Sequence, residues 1–192
     1  TLPGQLFAQG AHRFDALKAL AASNPSAKEL AQASYALSVL EGGSGNVKLE
    51  PIHFPKVAKP DVSIVIPAHN KVEITYYALC SLLLAHNDVS FEVIVVDDAS
   101  TDETGELEKI VSGIKVIHNE VAKRFIGACN AGVAAARGKY VVLLNNDIEA
   151  TARWLDALVD GMTRFNNVGM VGSKLLYPNG KLQDAGGIIW GT

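Results

Sequence analysis

From Asp61 onward the chain alternates short, mostly apolar runs with longer stretches whose apolar residues recur at helical spacing. Val62-Ser63-Ile64-Val65-Ile66 has β-branched residues and no polar face, as expected of a parallel strand covered on both sides. A helix is predicted from Val72 to His86, with Val72, Tyr76, Leu79 and Leu83 on one stripe. The second strand is Phe91–Val96. Ser100-Thr101-Asp102-Glu103 has capping-box spacing for a helix that turns Leu107, Ile110 and Val111 inward. Ile114–Ile117 is the third strand, and an Ala-rich helix over Gly127–Arg137 is expected to stop at Gly138. Tyr140–Leu144 is the fourth strand. Thr151 is placed to cap a helix carrying Trp154, Leu155, Leu158, Val159 and Met162. Val168–Gly172 and Lys174–Tyr177 suggest a further strand with a turn at Pro178-Asn179-Gly180.

This alternation predicts an α/β fold with a doubly wound, mostly parallel sheet. The earlier residues differ. Phe14, Leu17 and Leu20 mark one helix that stops at Asn24-Pro25, and Ser26 and Glu29 have capping-box spacing for a second that runs to about Leu40. The organisation read from the sequence is therefore a helical hairpin over residues 1–45, a Pro-punctuated linker over 46–60 and an α/β domain over 61–192. No chemistry is legible in the hairpin, which reads as a spacer or packing pad.

Composition narrows the class. Hydrophobic residues make up 48% and charged residues 19%, enough apolar material to exclude a disordered chain. Seventeen Lys and Arg against twenty Asp and Glu give a net charge of −3, and no basic block suggests a nucleic-acid partner. Cys80 and Cys129 fall in helix-like apolar stretches without metal-ligand spacing, and read as buried, reduced thiols of a cytoplasmic protein. No signal peptide or membrane span is visible, and a chain that starts with Thr reads as a fragment of something larger.

In a doubly wound sheet, ligands sit beyond the carboxyl ends of the strands. Three such ends are polar: Pro67-Ala68-His69-Asn70-Lys71, Asp97-Asp98-Ala99-Ser100-Thr101-Asp102 and Asn145-Asn146-Asp147-Ile148-Glu149. Each alone also reads as a solvated loop or helix cap. Gathered at one edge, their carboxylates call for a compensating cation, and a divalent metal completed by phosphate oxygens fits. No G-x-G-x-x-G follows the first strand, no G-x-x-x-x-G-K-[ST] occurs and no G-x-S-x-G elbow is present. A dinucleotide site, a P-loop and an α/β-hydrolase are thereby disfavoured.

The three strand-end segments, in this order, resemble the signatures of glycosyltransferase family 2, over about Asp61 to Trp190. Val171–Tyr177 with Gly180 and Asp184-Ala185-Gly186-Gly187 is similar to its rhamnosyltransferase-like, cell-surface polysaccharide branch. The resemblance implies a GT-A fold and inverting transfer from a nucleotide diphosphate sugar, UDP- or dTDP-linked, to a saccharide or lipid-linked acceptor. Pro67, Ala68 and His69, with Asn70, would border the nucleobase. Asp98 would accept a hydrogen bond from the base, Asp97 would support the loop or the ribose, and Arg124 would lie near the nucleotide. Asn145-Asn146-Asp147 stands in the D-x-D position. Asp147 is then the ligand of Mn²⁺ or Mg²⁺, while Asn145 replaces the acidic first residue and brings no charge. The general base of the family lies in a later segment. It is expected beyond Thr192, with Asp184 in an acceptor-side loop, so that this chain would bind nucleotide but transfer sugar poorly. A cytoplasmic site of action, peripheral to the membrane face, follows from the same resemblance. The alternative is a non-catalytic nucleotide-sugar or protein-binding module of a larger chain. The sequence leaves the oligomeric state open.

Overall fold

The computed structural model describes residues 10–42 and 48–186. Helices α1 (Ala11–Ala22) and α2 (Ala27–Gly42) precede a short strand β1 (Ile52–His53). The α/β unit then runs β2 (Val62–Ala68), α3 (Val72–Leu84), β3 (Phe91–Asp97), a 3₁₀ helix (Glu103–Lys109), β4 (Val111–Ser112) and β5 (Lys115–His118). It continues with α4 (Arg124–Ala134), β6 (Tyr140–Leu143), α5 (Trp154–Arg164), β7 (Leu175–Leu176) and β8 (Leu182–Asp184).

The main sheet has the order β5-β3-β2-β6, and all its pairings are parallel, as the alternation of elements predicts. Chain order reverses beside β2, which makes the carboxyl end of β2 and β6 the topological switch point. The register sets Ala68 opposite Asp97 and Asp97 opposite His118, so three strands end in one row. Side-chain alternation divides the core by face. Ile64, Ile66, Val93 and Val95 join Tyr76, Leu79 and Cys80 of α3, whereas Val65, Ile94 and Val96 meet Ala128 of α4. Gly132 lets α4 ride close to the sheet, because a Cβ there would stand 2.2 Å from Val65 Cγ1. Both cysteines are buried and free, and burial pushes the Cys80 thiol up to about 12.

Helix α3 lies between the sheet and α2, which is why so few of its residues see solvent. The N-terminal helices share this core through Ala16, Leu20, Ala33, Ala36 and Leu40. Ser26 and Glu29 form the expected capping box, with Glu29 Oε2 accepting from the Ser26 amide at 2.7 Å.

Several local expectations are corrected. Phe14 is 51% exposed, because α1 turns its Arg13, Ala16, Leu17 and Leu20 stripe inward. Within the stretch read as a linker, Ile52 and His53 pair with Val111 and Ser112, and Phe54 is buried. Ser100 does not cap a helix. Asp102 does, accepting from the Thr104 amide, and the turn that follows is 3₁₀ with a non-helical break at Glu106. Helix α4 starts at Arg124 and ends at Ala134, so Gly138 is not its C-terminal stop. Gly138 instead sits against the backbone of Val62 and Ser63, donating its amide to Ser63 Oγ at 2.8 Å. Thr151 offers only its backbone carbonyl to α5, whose Leu155 amide is capped by the Asn87 side chain at 3.0 Å. Val168–Gly172 is not a strand, since no ladder partner lies beside it among the described residues. Only Leu175–Leu176 pairs, antiparallel with β8. Part of the last polar segment, Gly187, lies outside the described residues.

Candidate functional site

The loop after β2 turns through Asn70 and Lys71, both left-handed at φ 58° and 60°. Asparagine tolerates that conformation and lysine pays for it, by about 1 kcal/mol or more. The turn persists because the loop after β3 holds it. The Asp98 amide donates to the Ala68 carbonyl (2.8 Å), and the Asn70 amide donates to Ser100 Oγ (2.8 Å). In return the Thr101 amide donates to Asn70 Oδ1 (2.8 Å), and the Val72 amide, opening α3, donates to Asp102 Oδ2 (3.2 Å). His69 Nδ1 lies 2.7 Å from the Asp98 carbonyl, which can only accept, so that nitrogen carries a proton.

The two adjacent aspartates do different work. Asp97 is 4% exposed and does not line the cavity. Its Oδ1 accepts from the Ser100 amide (3.0 Å) and its Oδ2 from His118 Nδ1 (3.0 Å). Burial raises its pKa, and the Ser100 and His118 hydrogen bonds more than reverse that, leaving it below the usual value. Asp98, 5% exposed, reaches forward. Its Oδ1 accepts from Asn119 Nδ2 (2.7 Å) and the Lys123 amide (2.8 Å), and its Oδ2 from the Arg124 amide (2.7 Å). A carboxylate at the start of a helix meets unpaired amides and the positive end of the dipole. Here it fixes where α4 begins and points Arg124 and Phe125 at the cavity. Burial disfavours the charge of Asp98 as well, but these donors hold its pKa low.

After β6, Asn146 Nδ2 donates to Thr75 Oγ1 (3.0 Å), while its neighbours Asn145 and Asp147 are exposed. A cavity of about 580 Å³ opens between these loops, at the switch point of the sheet. Pro67, Ala68, His69, Asp98, Arg124, Asn145, Asn146 and Asp147 line it, as the sequence reading grouped them. Asn70 and Asp97 stand behind it as braces. Lys71 and Phe125 also line it and were missed as site residues. Lys71 stood inside the quoted strand-end segment, so a cation beside a candidate diphosphate site was the available signal. With Asp98 engaged by three donors, Lys71, Arg124 and Asp147 are the charged residues lining the cavity that have no ion-pair partner among the described residues. Two cations and one carboxylate suit an anionic ligand bound together with a cation.

The family model described as Glycosyl transferase family 2 matches residues 63–188. The chain belongs to glycosyltransferase family 2. Similar curated proteins include an uncharacterized protein, y4gI, of Sinorhizobium fredii, 34% identical over 77% of this chain and 18% of its own length. The O-antigen biosynthesis protein RfbC of Myxococcus xanthus is 32% identical over 72% of this chain and 11% of its own. The UDP-Glc:alpha-D-GlcNAc-diphosphoundecaprenol beta-1,3-glucosyltransferase WfgD of Escherichia coli is 32% identical over 63% and 48%. The chain thus spans less than half the length of these curated relatives. Among solved structures, S. aureus TarS 1-349 in complex with UDP superposes with a TM-score of 0.47, at 23% identity over 59% of this chain and 39% of that one. As a family 2 domain the α/β unit is of the GT-A kind. Among the described residues, no helix is long and apolar enough to cross a membrane.

Proposed function

We propose that the cavity at the ends of β2, β3 and β6 binds a nucleoside diphosphate sugar, and that the domain is the donor-binding portion of an inverting glycosyltransferase. The observation that carries this is the placement of Asp147 with Lys71 and Arg124 around one cavity, while Asp98 is spent on the start of α4. Pro67, Ala68 and His69 form the wall suited to a flat base. Arg124 and Lys71 face the diphosphate. The name of the relative WfgD supports a UDP-linked donor and a lipid-linked acceptor, and hence a cytoplasmic protein working against the membrane face.

A divalent cation fits the residues present in one particular way. Among the described residues no three His, Cys, Asp or Glu side chains converge into a cage. Asp147 offers one exposed carboxylate and Asn145 an amide beside it, a donor set that suits Mg²⁺ or Mn²⁺ shared with phosphate oxygens. Bound there, the ion would neutralise charge on the departing diphosphate. The base that deprotonates the acceptor is assigned to none of these residues, because Asp98 is occupied and Asp147 faces the diphosphate.

The test is calorimetric titration of the chain with UDP, dTDP, GDP and ADP, in Mn²⁺ and in chelator. Metal-dependent binding of UDP or dTDP, lost in Asp147→Ala, is the expected result. A folded chain that ignores all four diphosphates overturns the reading in favour of a module that binds another partner.

A further inference from the structure

The loop from β6 to α5 carries Asp147, and most of its tethers come from the α/β unit itself. The Leu144 amide donates to the Val65 carbonyl (2.9 Å), Asn146 to Thr75 (3.0 Å), and the Ala150 amide to Ser81 Oγ (3.0 Å). Glu149 is held differently. Arg13 of α1 grips it with two parallel bonds, Nε to Oε1 at 2.7 Å and Nη2 to Oε2 at 2.8 Å. His12 Nε2 reaches Oε1 at 2.7 Å, and the Tyr77 hydroxyl donates to Oε2 at 3.0 Å. Arg13 also donates to Glu41 at the end of α2 (3.0 Å) and to the Tyr77 hydroxyl (3.1 Å). One guanidinium therefore joins both N-terminal helices, α3 and the loop of the cavity.

The Glu149 and Arg13 side chains are only 18% and 17% exposed. Removing such a pair from water costs free energy that a solvated surface pair does not incur, so helix docking alone is a poor reason to place it here. Glu149 follows Asp147 by two residues, a backbone reach of roughly 7 Å. Its side chain is fixed by four donors, whereas that of Asp147 is exposed. An anchor this close and this rigid sets where the Asp147 carboxylate stands relative to the cavity.

We infer that Glu149 is a positioning residue for Asp147, and that Arg13 makes the N-terminal helix pair a determinant of metal-dependent nucleotide binding. The inference rests on the donor-site reading proposed above. It gives the helical hairpin, featureless as a sequence, a role at the site: it orients the carboxylate that shares the cation with the diphosphate. Partners that orient a metal-binding group are commonly worth tenfold or more in metal affinity.

The experiment measures UDP affinity in Mn²⁺ and in chelator for the full chain and for Arg13→Met, Arg13→Lys and Tyr77→Phe, with thermal unfolding recorded for each. In Arg13→Met the gain in affinity conferred by Mn²⁺ falls about tenfold, while the metal-free affinity stays within about twofold of the parent. Arg13→Lys, which keeps the charge but not the fork, recovers part of the gain. Tyr77→Phe leaves the ion pair and gives a smaller loss in the same direction, and it decides the matter if Arg13→Met does not fold. Variants that melt earlier yet keep the full Mn²⁺ gain show that the cluster only docks helices, and overturn the inference while the donor-site reading stands. A parent chain silent to every diphosphate overturns the donor-site reading, and this inference with it.

Discussion

The loop after β3 and the loop after β6 are both acidic and both border the same cavity, yet they spend their carboxylates in opposite ways. Asp97, Asp98 and Asp102 turn theirs onto protein donors: the Ser100 amide and His118, the amides of Lys123 and Arg124, and the amides of Val72 and Thr104. The β6 loop fastens Asn146 and Glu149 and leaves Asn145 and Asp147 exposed. One loop is a frame and the other a presenting arm. Acid content alone therefore does not identify a ligand-binding carboxylate. What identifies it is whether the protein has already filled its lone pairs.

The sharpest way to break this distinction is to remove Asp98. Asp98→Ala strands the side-chain amide of Asn119 and two helix-opening amides, and should cost about 3–5 kcal/mol in urea unfolding. If Asp98 were chiefly a contact to the base, stability would hardly change and only nucleotide affinity would fall. Asp147→Asn should behave in the opposite manner. Its unfolding free energy should stay within about 0.5 kcal/mol of the parent, as expected of an exposed substitution. Its affinity for UDP with Mn²⁺ should fall at least about tenfold. A large loss of stability in Asp147→Asn would mean that the arm is part of the frame.

Much of the frame was legible because its signals are local. The central residues of β2 and β3 are mostly apolar and buried on both faces, so their runs read directly as parallel strands, and the sheet rule then located the cavity. The roles of individual acids were not legible, because their partners are remote in the chain. Lys123 is 25 residues from Asp98, and Arg13 is 136 from Glu149. No periodicity reports such pairings. The same holds for α1: a hydrophobic stripe was drawn through Phe14, but the ion pair of Arg13 selects another face. Asn87, which caps α5 in place of Thr151, is 68 residues from the amide it holds.

A smaller test asks how the arm is fastened. Thr75→Val keeps the shape of a buried side chain and deletes the hydroxyl that accepts from Asn146. The loss should be about 1 kcal/mol in unfolding. Because Asn146 sits between the two exposed residues, Mn²⁺-dependent UDP binding should weaken as well, by a modest factor. Unchanged binding would indicate that Glu149 and the backbone tethers of Leu144 and Ala150 set the position of the arm without Asn146.

The smallest effect concerns the frame and pH. His118 Nδ1 faces Asp97 at 3.0 Å and its Nε2 faces Glu108 at 3.2 Å, so both ring nitrogens meet carboxylates and the imidazolium is favoured. The hydrogen bond to Asp97, ahead of that to Glu108, raises the His118 pKa above 6.5. A folded-state pKa above the unfolded one means that the pairing contributes fully below about pH 6.5 and fades as pH rises through the raised value. Asp97, whose pKa is lowered, stays ionised throughout that window. His118 is 44% exposed, so solvent screens the pair and the change in stability is slight. In urea unfolding between pH 6 and 9, the parent should lose a small increment of stability that His118→Gln does not. A parent curve parallel to that of His118→Gln would show that Asp97 is held by the Ser100 amide alone, and that the frame needs no charge from β5.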